Sequence, residues 1–463
     1  MPWLVYYHRP LYRERATDIS LGPQLTSGGG VGSLKAGYFR ACITPPVGTP
    51  MSGYALREGP SIGVHDDLYV RAVYLECGSE AFAIAAADLL GVDRDLFESV
   101  ARAVEREVGL EPDRLTVLGT HTHSGPALQA HWSGEGVRAL REVVARAIAG
   151  AVAAAARELA DVRVASGVSE VRGVSVNRRD PRAGPIDPRV HVVALCGAGG
   201  IDVIISSFSC HAVVLGHNNR LISADYPGAL NRTVEEVTGA KSAFLNGTCG
   251  DINPLTPGTS LERVYDRSVG TFEDVEWMGR ILGCEASKVA LLSKPRARDA
   301  DLRCSSARVE LRAQRPCSVS EARRMVEEAE ARLAKAEGAP RQERLRAMLE
   351  LYRARAVLHY AERYGERGAV EVDLRALALG DEVALVFLPS EVLVELGASV
   401  KEASPFPNTI VASYANHYFG YIAPAHEYPK GGYEVTYPTT VLEPGEGERL
   451  AEAAIELLGK LTG

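Results

Sequence analysis

The sequence predicts an α/β protein: a layered mixed sheet flanked by helices, with a helical hairpin inserted within it. Two patterns carry that reading. Apolar runs of strand length alternate with stretches of helical period, as in sheets covered by helices. Residues 319–364 then break the alternation with a segment rich in Arg, Glu, Ala and Leu, interrupted once at Glu337–Pro340. With 46% hydrophobic and 24% charged residues in 463, the chain is globular in composition, which excludes a disordered or collagen-like protein and allows a large core.

In order, residues 1–34 lack periodicity and end in a Ser-Gly-Gly-Gly run (Ser27–Gly30), which reads as an N-terminal arm of linker composition. From Lys35 the pattern becomes dense. LYVRAVYLECG (68–78) and EAFAIAAADLL (80–90) read as strands joined by a Gly-Ser turn, and residues 94–108 have helical spacing. LTVLGT (115–120) is a buried strand leading into HTHSGP. An Ala-rich helix covers 135–160 and a strand follows at 162–172. HVVALCG (191–197) and IDVIISSFS (201–209) are strands around a Gly-rich turn. YPGALNRTVEEVTG (226–239) is a helix stopped by Gly, KSAFLNGT (241–248) is a strand, and residues 273–293 are a helix. After the hairpin, strands return at 368–378 and 382–388. A helix is expected from Pro389 and a last one over 443–460, with a Tyr- and Pro-rich loop (414–440) between them. No internal repeat is visible.

Lys and Arg number 51 against 59 Asp and Glu, a net charge of −8, which argues against nucleic acid as the main partner. The eight cysteines form no CxxC pair and read as reduced thiols, mostly buried, rather than a disulfide frame or thiolate zinc site. The most apolar stretch, Ala147 to Ala156, lies between Arg146 and Arg157 and is too short to span a bilayer. Arg9, Arg13, Glu14 and Arg15 interrupt any leader-like apolar run, so the expected setting is cytoplasmic.

Chemistry is expected at strand ends. His121 and His123 flank Thr122 where a strand exits, and residues i and i+2 of an extended chain face one side. Two imidazoles there suit a metal or its water. His211 leaves a second strand, with His217 six residues on. Asp225 and Asp251 follow turns, either orienting an imidazole or serving as caps. Glu391 follows Pro389-Ser390 at the end of a buried strand, as an oxygen ligand or as first-turn helix chemistry. Tyr414, Tyr418, Tyr421 and His417 lie in an aromatic loop that reads as packing or a substrate wall. Read from residues alone, a metal hydrolase is one outcome. A metal-dependent esterase or phosphoesterase using Asp88, Asp225 or Asp251 with the histidines is another. A non-catalytic binding protein is a third.

Several blocks together resemble the neutral/alkaline non-lysosomal ceramidase family. They are ITPPVGTPMSGYA (43–55), GVHDDLYVRA (63–72), GTHTHSGP (119–126), SVNRR (175–179), FSCHAVVLGHNN (208–219), ISADYPGA (222–229), NGTCGDINP (246–254), LPSE (388–391) and NHYFGYIAPAHEYPKGGYE (416–434). The resemblance implies the family's catalytic fold over residues 35–463 as a single unit. It implies one zinc ion per chain held by His121, His211, Glu391 and Tyr421, and cleavage of an N-acyl amide, lipid or otherwise, by zinc-activated water. It also implies roles for His123 in proton transfer or water orientation and for Arg178 at the developing oxyanion. Two departures stand out. Asn253 occupies the position of a family serine proposed to act in catalysis, leaving it a hydrogen-bonding role, and the arginine motif reads NRRDP, from which Arg178 rather than Arg179 is chosen. Family members also continue into a C-terminal β-domain and are usually secreted, whereas this chain ends one helix after the Tyr motif.

Overall fold

Three times over, the chain runs through the same succession of three strands, a helix, a strand and a helix. The structure, a computed structural model, describes residues 32–128, 135–295 and 300–462. The first unit is β1 (Lys35–Cys42), β2 (Tyr69–Cys77), β3 (Glu80–Ala87), α1 (Arg94–Val108), β4 (Leu115–Gly119) and α2 (Glu135–Arg157). The second is β5 (Arg163–Glu170), β6 (Arg189–Gly197), β7 (Gly200–Phe208), α3 (Asp225–Thr238), β8 (Lys241–Asn246) and α4 (Phe272–Leu292). In the third, β9 (Leu302–Arg312) is followed by the inserted hairpin α5 (Val319–Lys335) and α6 (Arg341–Tyr364). Then come β10 (Ala369–Leu379), β11 (Val383–Phe387), α7 (Val394–Ala403), β12 (Asn408–Ala412) and α8 (Glu446–Gly459).

Within each unit the strands lie side by side in chain order. The first three are antiparallel and the fourth is parallel to the third. A parallel neighbour requires a crossover, which α1, α3 and α7 supply. The third and fourth strands therefore end at the same edge of each sheet, where the connection into the antiparallel second strand also arrives. The expectation of no internal repeat is corrected at this level: the repeat lies in the order and direction of elements, which tolerate any sequence of the right periodicity.

One cluster joins the three sheets, with Phe82 and Leu118 from the first, Val193 and Leu245 from the second, and Leu385 and Ile410 from the third. Phe82 and Phe387 stack across it, centroids 5.8 Å apart. The opposite faces are covered by α1 and α2, by α3 and α4, and by α6 with α8. Local signals set several ends. Asp93 caps α1, accepting from Leu96 N at 2.9 Å, and Gly109 closes it in the left-handed region. Thr271 with Asp274 and Ser318 with Glu321 form capping boxes. No helix among the described residues is long and apolar enough to cross a membrane. The cysteines are free thiols, with Cys42 and Cys284 exposed.

Some expectations are corrected. Of the arm at 1–34, residues 1–31 lie outside the described residues, while Leu34 is buried and its carbonyl accepts from Val162 N at 2.9 Å. No helix starts at Pro389. Ser390 takes a left-handed φ of 60°, and Glu391–Val392 then pairs in parallel with Tyr421–Ile422, delaying α7 to Val394. Strands β1, β9 and β12 complete sheets that the sequence reading left short.

The close approach of α2 to β1 depends on Gly37, where a Cβ would overlap the Ala155 carbonyl oxygen, whereas Gly150 in exposed mid-helix has open space around it. Gly37→Ala is expected to lower unfolding free energy by roughly 1–3 kcal/mol. Gly150→Ala should raise it by about 0.5–1 kcal/mol; urea titration measures both. His417, whose Nε2 lies 3.0 Å from the Tyr364 hydroxyl of the hairpin, has its pKa pushed down to about 3, chiefly by burial. The unfolded chain therefore takes up this proton first as pH falls, and the contribution of His417 is full above about pH 6.5 and lost toward pH 3. The stability gap between the native chain and His417→Gln should narrow across that window in denaturant titrations at stepped pH.

Candidate metal centre

His121, His211 and Glu391 come from three different units and meet in one buried spot. His121 follows β4 with φ 69°, its N–H bonded to Leu89 O at 2.9 Å. The left-handed turn presents the imidazole to the centre, and the Tyr414 ring stacks on it at 4.0 Å. His211 follows β7, its N–H bonded to Ile252 O at 2.9 Å. Glu391 N donates to Gly420 O at 3.0 Å, and its side chain enters from the third unit.

The ring nitrogens decide what this spot can hold. His121 Nδ1 lies 2.7 Å from Leu90 O, and His211 Nδ1 lies 2.6 Å from Cys249 O. A carbonyl oxygen only accepts, so both Nδ1 atoms carry protons, and in neutral rings that leaves both Nε2 atoms with lone pairs turned inward. They face Glu391 Oε2 at 3.3 Å and 3.1 Å. His123 Nε2 joins at 3.2 Å from His121 Nε2. With the His121 and His211 rings neutral, their Nε2 lone pairs and the carboxylate oxygen converge on one spot, an arrangement that a cation completes. A metal with bonds of about 2.0–2.1 Å in a tetrahedral site has ligand–ligand edges of about 3.3 Å, the separation found here. Two imidazoles and a carboxylate suit a divalent cation, and one ring nitrogen from each of His121, His123 and His211 lies within 4.8 Å of the others.

Electrostatics agree. Burial and the Arg178 guanidinium push His211 down to about 4, so it is neutral at pH 7. Burial, with His121 and His211 nearby, takes His123 well below the usual imidazole range, and its Nδ1 is buried without a hydrogen-bond partner. Glu391 Oε1 accepts from the Tyr418 hydroxyl. Burial raises Tyr421 well above 10 against the pull of Arg178, so the phenol is neutral until a cation stands beside it.

Arg178 occupies the next position. It follows the short strand Ser175–Asn177 and bonds Tyr421 OH at 2.9 Å, Asn253 Oδ1 at 3.2 Å and Glu434 Oε1 at 2.7 Å, with Nη1 3.3 Å from His211 Nε2. Burial works against its charge, but Tyr421 and Glu434 raise its pKa well above the usual value. Arg179 turns away to Glu427 and to the other Glu434 oxygen, both at 2.7 Å. Asn253 has both ends occupied: Oδ1 accepts from Arg178, and Nδ2 donates to Val264 O at 3.0 Å. Its amide oxygen therefore steadies the guanidinium, and one of its two amide protons goes to Val264.

Other candidates lie elsewhere. Asp88 accepts from Tyr69 N at 2.9 Å and from Arg71 at 3.2 Å. Asp225 accepts from the N–H groups of Leu215 and Tyr226 at 3.0 Å and 2.7 Å. Asp251 accepts from Val394 N at 2.8 Å and Asn177 Nδ2 at 2.7 Å. Engaged this way, these carboxylates form no second metal site with the histidines, and Asp225 and Asp251 orient no imidazole. His217 sits against Tyr54, 6.3 Å between centroids, and His417 against the hairpin. The sequence reading missed the supports: Arg57, which donates to His123 O at 2.7 Å, Gly53, where a Cβ would overlap the His123 ring, and Glu434. Gly53 and Glu434 lie inside the family-like blocks 43–55 and 416–434, whereas Arg57 had no sequence signal.

Comparison with known proteins follows the same lines. Residues 35–268 match the N-terminal family of neutral/alkaline non-lysosomal ceramidases. Neutral ceramidase A of Dictyostelium discoideum is 23% identical over 247 residues, which is 46% of this chain and 35% of that protein, so the match spans about a third of the relative. The crystal structure of neutral ceramidase from Pseudomonas aeruginosa superposes with TM-score 0.69 at 18% identity, covering 92% of this chain and 74% of that one. A ceramidase complexed with C2 gives 0.70 at 19% identity, with 92% and 75% covered. By the half of its length that the family pattern matches, this chain belongs to the neutral/alkaline non-lysosomal ceramidase family.

Proposed function

We propose that the protein is a zinc-dependent hydrolase of an N-acyl amide bond, ceramidase-like in chemistry, with residues 35–463 acting as one catalytic unit. The observation that carries the reading is the buried meeting of His121 Nε2, His211 Nε2 and Glu391 Oε2, whose ring protons are committed to backbone carbonyls. His121, His211, Glu391 and Tyr421 would hold the ion. When bound, zinc supplies Lewis-acid polarisation of the scissile carbonyl and a lowered pKa for water.

The residues divide the remaining work. Hydrolysis joins a water oxygen to the acyl carbon, breaks the C–N bond and returns a proton to the amine nitrogen. Arg178, permanently charged and pinned by Glu434 and Asn253, stabilises the oxyanion as it develops. His123, neutral, with Nε2 at the centre and Nδ1 unpartnered, accepts the water's proton and passes it to the leaving amine. Tyr418 keeps Glu391 oriented through its other oxygen. Asn253 positions the guanidinium rather than acting as a nucleophile.

Metal analysis of purified protein should find one zinc per chain, and chelation should stop hydrolysis of N-acyl amides. His211→Ala and Glu391→Gln are expected to retain less than about a tenth of the metal, the scale of losing one inner ligand. Arg178→Lys should keep the metal and lose about 10²–10³ in kcat, because a point charge replaces an aimed fork of donors. Full metal and full turnover in both His211→Ala and Tyr421→Phe would defeat the assignment.

A further inference from the structure

Tyr418 and Tyr421 do double duty. Beside their contacts with Glu391 and Arg178 they line a cavity of about 390 Å³. Its far wall belongs to α6 of the inserted hairpin, through Tyr352, Arg353, Ala356 and Tyr360, and Tyr433 and Tyr437 add to it. The lining is mainly apolar and aromatic, with Thr436 and Thr439 beside it, and Arg353 is its single charged residue among the described ones. Depth runs from Tyr421, Ala356 and Tyr360, all buried, to Arg353 and Thr436, which are exposed. Tyr421, which touches Arg178, thus lies at the buried end and the Arg353 guanidinium at the rim.

Two features of this cavity are selective. A cavity of about 390 Å³ is of a size to take a single medium-length chain or an aryl group. Arg353 donates from Nη2 to Tyr437 O at 3.0 Å, which fixes the head, while no carboxylate among the described residues lies within ion-pair distance of it. A guanidinium held at the mouth of an apolar slot, with most of its donors unspent, is matched to an oxyanion arriving on the end of an apolar ligand.

We propose that this cavity takes one arm of the amide substrate as a single chain or aryl group, and that Arg353 selects arms ending in an anionic oxygen group such as a carboxylate. The inference rests on the amide-hydrolase reading for its chemistry, and its geometry is separate from that reading. It makes Arg353 a specificity residue supplied by the hairpin.

The test compares zinc-loaded wild type with Arg353→Gln and Arg353→Glu, both exposed substitutions that leave the acceptor cluster untouched. Substrates are p-nitroanilides of medium-length acyl chains ending in methyl or carboxylate, and N-acetyl derivatives of alkylamines and matching ω-amino acids. In one series the carboxylate-ended compound should be favoured by about tenfold in kcat/KM, the change one charge-assisted hydrogen bond produces. The effect should appear in KM, vanish in Arg353→Gln and reverse in Arg353→Glu, while methyl-ended compounds change by less than about twofold. Absence of a preference in both series, or its persistence in Arg353→Gln, overturns the proposal. If wild type turns over no amide in a chelator-sensitive way, the hydrolase reading fails instead. Calorimetric binding of the same carboxylate- and methyl-ended compounds to wild type and Arg353→Gln then decides the role of Arg353 by itself.

Discussion

The carboxylate of Glu391, closed off from solvent between two imidazoles, is the contact around which the remaining structure is arranged. An unpaired buried carboxylate costs several kcal/mol, so its neighbours must satisfy it. Tyr418 takes one oxygen; His121 and His211 crowd the other. Each imidazole is in turn tied to a backbone carbonyl that fixes its tautomer. The backbone bends to make this possible. His121, Ser390 and Tyr414 all take left-handed φ values near 60–70°, a conformation costly for residues with a Cβ. Such residues persist only where the surrounding packing leaves them no alternative.

That packing comes from the threefold use of one topology. The first unit contributes His121 and His123, the second His211, Arg178 and Asn253, and the third Glu391 and Tyr421. Each leaves the third or fourth strand of its sheet, or the connection into the second strand, and these all open at the same edge. The connection between first and second strands has been used differently in each unit. In the first it carries Gly53 and Arg57 beneath His123, in the second Arg178, and in the third the hairpin whose α6 walls the cavity. An insertion of 46 residues, 319–364, thus bears directly on the site although it lies far from it in sequence. Asn253 receives Arg178 with its oxygen and donates one amide proton to Val264 O, which holds the guanidinium in place.

Much of the fold was legible along the chain. The pairs β2–β3 and β6–β7, the helices from α1 to α4 and the hairpin follow from period, caps and glycine stops, because each is set by contacts close in sequence. The strands that went unrecognised, β1, β9 and β12, are defined by partners far away. The helix expected from Pro389 failed because pairing with Tyr421–Ile422 outweighs the local preference. For the site, strand-exit histidines and Glu391 were visible as residue types, and the combined motifs pointed to one family. The motif chose Arg178 over Arg179, but the sequence alone could not tell the backbone-holding roles of Asp225 and Asp251 from work at the centre.

By itself, then, the sequence determined which donors were on hand, the alternation of strands and helices, and the family. Tertiary structure alone decided which donors meet. Whether His211 Nε2 presents a lone pair or a proton depends on Cys249 O, 38 positions away in the chain, and whether Glu391 is ligand-like or a helix cap depends on Gly420 and Tyr421. Hydrogen bonds and burial between distant segments set protonation, orientation and charge, and none of these is a property of a residue in its sequence neighbourhood.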